Sequence, residues 1–286
     1  MKKILLQLDG DRVPSVFDAI TAYDAGADIL LQCGGVEPRE VRDLVYGAMF
    51  TRGPGDLKNS AVFIGGTDVA KGEAMLREAR LAFFDPLRVS VMLDANGCNT
   101  TAAAAVVKIL SGGDLTGKKV VVLGGTGPVG QRAAGLLAKD GADVTLTSRS
   151  LERAEGVCAV LMERFGVHVT PAAMADPDAT AQVLRGAHAV LCAGAAGVTL
   201  VPEAIWKEHA TLRILADVNA VPPLGVEGTA QTWNGKEIAG KRLFGALGVG
   251  DLKMKVHRRC IARLFEQNDL ILDAEEVVAL AKELEQ

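Results

Sequence analysis

Apolar and polar positions along this 286-residue chain switch between two periods. Short apolar runs at 4–8, 29–32, 61–65 and 89–93 read as strands. Between them, helical spacing predicts helices over 15–25, 38–47 and 68–84. Pro38 stands at a helix start, where its missing N–H costs little. The Ala-rich run 99–110 predicts another helix, with Asn99, Thr100 or Thr101 as its cap. Residues 111–119, rich in glycine, break the pattern and read as a linker. A second series follows, with strands at 120–123, 143–147, 189–191 and 214–217 and helices at 128–139, 151–165 and 179–184. Two more helices are expected at 252–266 and 274–285. The last places Val277, Val278, Leu280, Ala281 and Leu284 on one face.

This alternation predicts an α/β protein of two α/β domains with a cleft between them. A substrate-binding domain is expected over 1–111, completed by C-terminal helices at 250–286, and a nucleotide-binding domain over 112–249.

Composition narrows the classes. Hydrophobic residues make up 49% and charged residues 23%, which excludes a disordered chain. Aromatic content is only 4% while small residues abound, as suits helices lying close to a sheet. A net charge of −4 without a basic block argues against nucleic acid as a partner. Cys33, Cys98, Cys158, Cys192 and Cys260 are scattered and form no C-x-x-C pair. That argues against a zinc site or a disulfide framework and fits a reducing cytoplasm. His168, His188, His209 and His257 match no metal spacing, Asp9 and Asp11 make only half a metal loop, and no G-x-S-x-G elbow occurs. No metal is expected. The first apolar run stops at Asp9 with no cleavage site behind it, so it reads as a strand and not as a signal peptide. No apolar stretch reaches transmembrane length, and no membrane partner is expected.

The strongest chemical signal is Gly125-Thr126-Gly127-Pro128-Val129-Gly130, which follows an apolar strand and opens a helix. In that context Gly125 serves the tight turn, Gly127 lets backbone N–H groups reach a pyrophosphate, and Gly130 allows close helix–strand packing. The helix amino end adds oriented donors and positive potential. The loop predicts a Rossmann-type parallel sheet that binds a dinucleotide. An NAD site usually ends its second strand in Asp or Glu. Here that strand ends in Ser148-Arg149, with Arg153 one turn further on. A guanidinium pairs with a 2′-phosphate, so NADP is favoured. Ser and Arg do not repel a ribose hydroxyl, so NAD stays open. Two later strand ends carry the small-residue loop 192–197, with Ala193 and Gly194 as candidate contacts, and the loop 217–225, where Asn219 and Pro222-Pro223 would shape a nicotinamide pocket.

Several strings are not generic to such folds: Pro14-Ser15-Val16-Phe17-Asp18, Phe50-Thr51-Arg52-Gly53, Met92-Leu93-Asp94 with Asn96-Gly97, and Asn99-Thr100-Thr101-Ala102-Ala103-Ala104. With them stand Pro222-Pro223-Leu224-Gly225 after Asn219, Phe244-Gly245-Ala246-Leu247-Gly248, and Leu252-Lys253 with His257-Arg258. Through these strings and the glycine loop, the chain resembles, over nearly its whole length, the NAD(P)-dependent methylene-tetrahydromethanopterin dehydrogenases of bacterial one-carbon metabolism, above all the NADP-dependent type. Cys98 and Val218 depart from the family pattern. The resemblance implies hydride transfer from the methylene carbon of a tetrahydromethanopterin to NADP, in a cytoplasmic homo-oligomer, trimeric or hexameric. It implies Lys253 as the active-site lysine, orienting the pterin. Asp18, Asn96, Asn99, Thr100 and Thr101 are the candidate substrate contacts, although helix capping alone accounts for part of the last three. The tetrahydrofolate analogue of the reaction, a pterin reductase, and a non-catalytic NADP sensor are the alternatives.

Overall fold

The structure is a computed structural model that describes residues 1–285. The chain runs through β1 (Ile4–Asp9), α1 (Val16–Asp24), β2 (Ile29–Cys33), α2 (Val41–Met49), β3 (Ser60–Gly65), α3 (Val69–Ala82), β4 (Ser90–Leu93) and α4 (Cys98–Leu110). It continues with β5 (Lys119–Leu123), α5 (Pro128–Lys139), β6 (Asp143–Ser148), α6 (Leu151–Phe165), β7 (Thr170–Ala173), α7 (Pro177–Val183), β8 (Ala189–Cys192), α8 (Glu203–Lys207) and β9 (Ile214–Asp217). Then come β10 (Asn234–Ile238), β11 (Lys241–Phe244), α9 (Ala246–Arg263), β12 (Ile271–Leu272) and α10 (Ala274–Glu283). Two compact units result. One holds residues 1–100 and 254–284, the other residues 101–253 and Glu285. The division falls inside α4 and α9, so residues 101–110 go with the second unit and not with the first.

The first unit has a five-stranded sheet in the order β12-β4-β3-β1-β2, parallel throughout. Counted along the chain this is the doubly wound order 2-1-3-4-5, whose direction reverses between β1 and β3. Residues of β3 and β4 are buried on both faces, as continuous apolar runs require. Leu8, Val45, Met49, Ile64, Met75 and Leu93 meet in the core beneath α2 and α3. The two-residue strand β12, which hydropathy alone does not reveal, completes the sheet beside β4.

The second unit has a seven-stranded sheet in the order β10-β11-β9-β8-β5-β6-β7. All pairs are parallel except β10 with β11. Starting from β5, the parallel strands follow the Rossmann order 3-2-1-4-5-6, with the reversal between β5 and β8. Val120, Val121, Val122 and Leu123 are fully buried, which holds β5 at the centre. Strand β7 lies at the edge, where Pro171 needs no ladder donor. The β10–β11 hairpin turns at Ala239 and Gly240, both at positive φ (51° and 68°). That is the primed-turn geometry that two-residue hairpins favour. Trp206 of α8 is fully buried, and its indole N–H donates to the Glu227 carbonyl at 2.9 Å.

Candidate active site

Ligands of open parallel sheets bind where the strand order reverses, at the carboxyl ends of the strands. In the second unit that point is the turn after β5. Gly124 turns it at φ 61°, and its N–H donates to Thr147 Oγ1 at 3.1 Å, while the Gly125 N–H donates to the Thr147 carbonyl at 3.0 Å. The loop is thus tied to β6. A Cβ on Gly130 would lie 2.6 Å from the Gly125 Cα, so α5 starts against the loop only because residue 130 is glycine. Helix α5 then opens at Pro128 with Gly127 as its N-cap, and no side chain caps it. A Cβ on Gly127 would meet nothing within 4 Å. Thr126, Gly127, Pro128 and Val129 are partly exposed above the buried Gly125 and Gly130. Uncapped N–H donors under open space, at the positive end of a helix dipole, fit the pyrophosphate of a dinucleotide.

The flanking loops border the same edge. Ser148 closes β6, buried, and its Oγ accepts from the Ser150 N–H at 3.4 Å. Arg149 is exposed beside it. Ser150 caps α6 by accepting from the Arg153 N–H, and that residue is exposed as well. Among the described residues neither Arg149 nor Arg153 forms an ion pair. After β8, the Ala193 N–H donates to the Leu123 carbonyl, and Gly194 abuts Gly124, whose Cβ would lie 2.5 Å from the Gly194 Cα. After β9, Asn219 is buried and works on its own loop. Its side chain accepts from the Val221 N–H at 2.9 Å and donates to the Pro223 carbonyl at 3.4 Å. Asp217 anchors that loop by accepting from the N–H groups of Asn219 and Val226. Burial holds the Asp217 carboxyl above its ordinary value, against the lowering effect of the Asn219, Val226 and Gly225 N–H groups.

In the first unit the reversal point lies between β1 and β3. There Asp9 accepts from the N–H groups of Asp11 and Ser15, both at 2.9 Å. Asp11 accepts from both the N–H and the hydroxyl of Thr67, so the loops after β1 and β3 are laced together. The Ser15 hydroxyl caps α1 by accepting from the Asp18 N–H. Helix α4 is not capped by Asn99, Thr100 or Thr101, as the sequence suggests. It starts at Cys98, and Asp94 reaches forward to accept from the Thr100 N–H (3.0 Å) and hydroxyl (2.6 Å). Asn99 donates to the Leu93 carbonyl at 2.7 Å and to Asp273 at 3.0 Å. Asn99 and Thr100 are fully buried and hold the fold together, whereas Thr101 is partly exposed. Asn96 is exposed at the end of β4 in the left-handed region (φ 53°), with its N–H on the Gly66 carbonyl at 2.6 Å.

Helix α9 begins at Ala246, six residues before the start expected at 252, so Gly248 and Gly250 lie within it and Lys253 sits at mid-helix instead of in the first turn. Lys253 is partly exposed. One turn on, His257 is fully buried, stacked on Phe63 at 5.5 Å between ring centroids and 6.2 Å from Phe17. Its Nε2 lies 3.9 Å from Asp18 and its Nδ1 4.0 Å from Asp94. The sequence did not single out this cluster, because its members are far apart along the chain. Burial raises the thiols of Cys192 and Cys260 well above their ordinary value, so neither is an activated nucleophile. Among the described residues no three metal-ligating side chains cluster, and no helix is long and apolar enough to cross a membrane.

A Rossmann unit with an open glycine loop suits a nicotinamide dinucleotide, and the relatives of the chain make it an NAD(P)-dependent oxidoreductase. Residues 113–226 match the family described as putative NAD(P)-binding, and residues 16–96 match the N-terminal family of methylene-tetrahydromethanopterin dehydrogenase. Two relatives come from Methylorubrum extorquens. The "Bifunctional protein MdtA" is 49% identical over 99% of each chain. The "NAD(P)-dependent methylenetetrahydromethanopterin dehydrogenase" is 32% identical over 99% of each chain. The chain therefore belongs to the methylene-tetrahydromethanopterin dehydrogenase family. Among solved structures, the fold is shared with a shikimate 5-dehydrogenase from Listeria monocytogenes (15% identity, TM-score 0.54, 100% of this chain and 96% of that one). It is also shared with a quinate dehydrogenase from Corynebacterium glutamicum (14% identity, TM-score 0.52, 100% of both chains).

Asp217 yields a pH prediction. Its folded carboxyl titrates above the ordinary 3.8, so on acidification the folded chain takes up this proton before the unfolded chain does. The group's contribution to stability thus rises as pH falls. Urea unfolding should show wild type gaining on Asp217→Asn between about pH 7 and about pH 4. A difference that moves the other way would contradict the assignment.

Proposed function

We propose that the protein is an NADP-dependent methylene-tetrahydromethanopterin dehydrogenase that also accepts NAD. The reading rests on family membership, and its cofactor preference on one observation: β6 ends at Ser148 and Arg149 follows it, with no acid at the tip. NADP supplies the hydride acceptor. Along the glycine loop, the N–H groups that open α5 hold the pyrophosphate. Arg149, aided by Arg153, pairs with the 2′-phosphate, and Ser148 donates to it. Ala193, Gly194 and the loop stiffened by Asn219 support the nicotinamide side.

The chemistry asks little of acids and bases. Hydride leaves a carbon between two nitrogens, which share the resulting positive charge, and no proton moves in that step. The chain must hold the two reacting carbons close and aligned. Lys253 orients the pterin by donating a hydrogen bond. It does not stabilise the developing cation, because like charges repel. Asp18, Asn96 and Thr101 line the substrate side. Asn99 and Thr100 act there through packing, since both are buried in internal hydrogen bonds.

A second reading keeps the mechanism and changes the carrier. The 49%-identical relative is named a bifunctional protein, which favours a second activity, and methylene-tetrahydrofolate is the nearest chemical analogue. Steady-state NADPH formation with each pterin tests both readings. Turnover with neither, despite tight NADPH binding, would point to a sensor.

Two variants test the residue roles. Arg149→Ala should weaken NADP by about 1.5–3 kcal/mol while sparing NAD, as measured by fluorescence titration. Equal losses for both cofactors would remove Arg149 from the 2′-phosphate. Lys253→Ala should lower turnover with NADPH affinity nearly unchanged, and a folded variant with wild-type kinetics would remove Lys253 from the site.

A further inference from the structure

The amino edge of the seven-stranded sheet carries a cavity of about 250 Å³ that the reaction does not use. His188 stands just before β8, Arg213 just before β9, and Lys241 and Arg242 open β11, with Ile214 and Glu237 also in the lining. These strands run parallel to β5, so the glycine loop lies at the opposite ends of the strands, roughly 13 Å away by strand rise. The cavity is not part of the dinucleotide site.

Its charge is one-sided. Arg213, Lys241 and Arg242 face one carboxylate, Glu237, which lies 3.5 Å from Arg242 with a side chain 74% exposed. A pair that exposed neutralises little. Among the described residues, Arg213 and Lys241 have no ion-pair partner. Lys241 is buried, and its ammonium donates to the carbonyls of Lys207 (2.9 Å) and Ala239 (3.2 Å), which leaves a third donor proton. Arg213 spends one terminal nitrogen on the carbonyls of Ala210 and Leu212, which clamps the guanidinium at the rim. The His188 Nε2 is buried and has no hydrogen-bond partner. Burial, Lys118 and Arg213 together disfavour its charged form.

We propose that this cavity is a binding site for a phosphate-class anion, either free phosphate or the phosphoryl group of a small monoester. Two guanidinium groups, an ammonium and an imidazole are brought to the lining by the starts of three strands, β8, β9 and β11. Several tetrahedrally placed oxygens carrying more than one charge answer that arrangement better than a planar carboxylate does. The ligand would also supply the counter-charge that the buried Lys241 lacks.

The test is calorimetric titration of inorganic phosphate into the full chain saturated with NADPH, in phosphate-free buffer, with the histidine ring protons followed by NMR. Saturable binding near 1 mM or tighter is expected, with the His188 resonances moving at the same midpoint. Arg213→Ala should weaken it by about tenfold or more, and Arg213→Lys by less, with NADPH affinity intact. Arg242→Gln provides an independent second variant. Glycerol phosphate in a parallel titration separates the sources: tighter binding marks a monoester ligand, equal binding free phosphate. Unmoved His188 resonances, or undiminished phosphate binding in both Arg213→Ala and Arg242→Gln, would overturn the proposal.

Discussion

A helix packed on a parallel sheet presents the N–H groups of its first turn at the carboxyl edge of the strands, and those donors need acceptors. In this protein side chains usually provide them: Ser15 for α1, Asp68 for α3, Ser150 for α6, Asp176 for α7 and Asp273 for α10. At α5 the N-cap is Gly127, which has nothing to offer and nothing above it. The cofactor site proposed above is built on that uncapped end. Every neighbouring feature serves to hold the uncapped end in place, from the Gly125–Gly130 contact to the two bonds onto Thr147.

The first unit handles the same edge differently. Its loops after β1, β3 and β4 are cross-bonded through Asp9, Asp11, Thr67, Asn96 and Asp94. His257 of α9 is buried among Asp18, Asp94, Phe17 and Phe63, so the stretch of helix just after Lys253 is anchored to this lattice. A rigid frame suits a reaction governed by position more than by proton transfer. Many polar residues at the edge are structural, as the burial of Asn99 and Thr100 makes plain.

Much of this was legible in the sequence. The apolar runs that became β1, β3, β4, β5, β8 and β9 are buried on nearly every residue, and a pattern that strong survives any tertiary context. The limits of α5 and α6 follow from Pro128 after a glycine, and from the Ser150 cap and the Gly166 stop. The misses have physical causes. Strand β7 is an exposed edge strand containing a proline, and β12 has two residues. The β10–β11 hairpin turns on Ala239, a residue that seldom takes positive φ and so gives no turn signal. Asp94 as the cap of α4 was hidden because it acts across an intervening 3-10 turn. The glycine loop declared itself locally, whereas the His257 cluster joins residues from α1, β3, α9 and the end of β4, which only folding brings together.

The central claim is direct hydride transfer between a methylene pterin and a nicotinamide held on the glycine loop. The most direct measurement is the fate of deuterium when the dideuterated methylene-tetrahydromethanopterin is turned over with NADP in ordinary water. The account predicts one deuterium at C4 of the reduced nicotinamide on a single face, with none released to solvent. Deuterium found in water, or a reduced nicotinamide labelled on both faces, would contradict it.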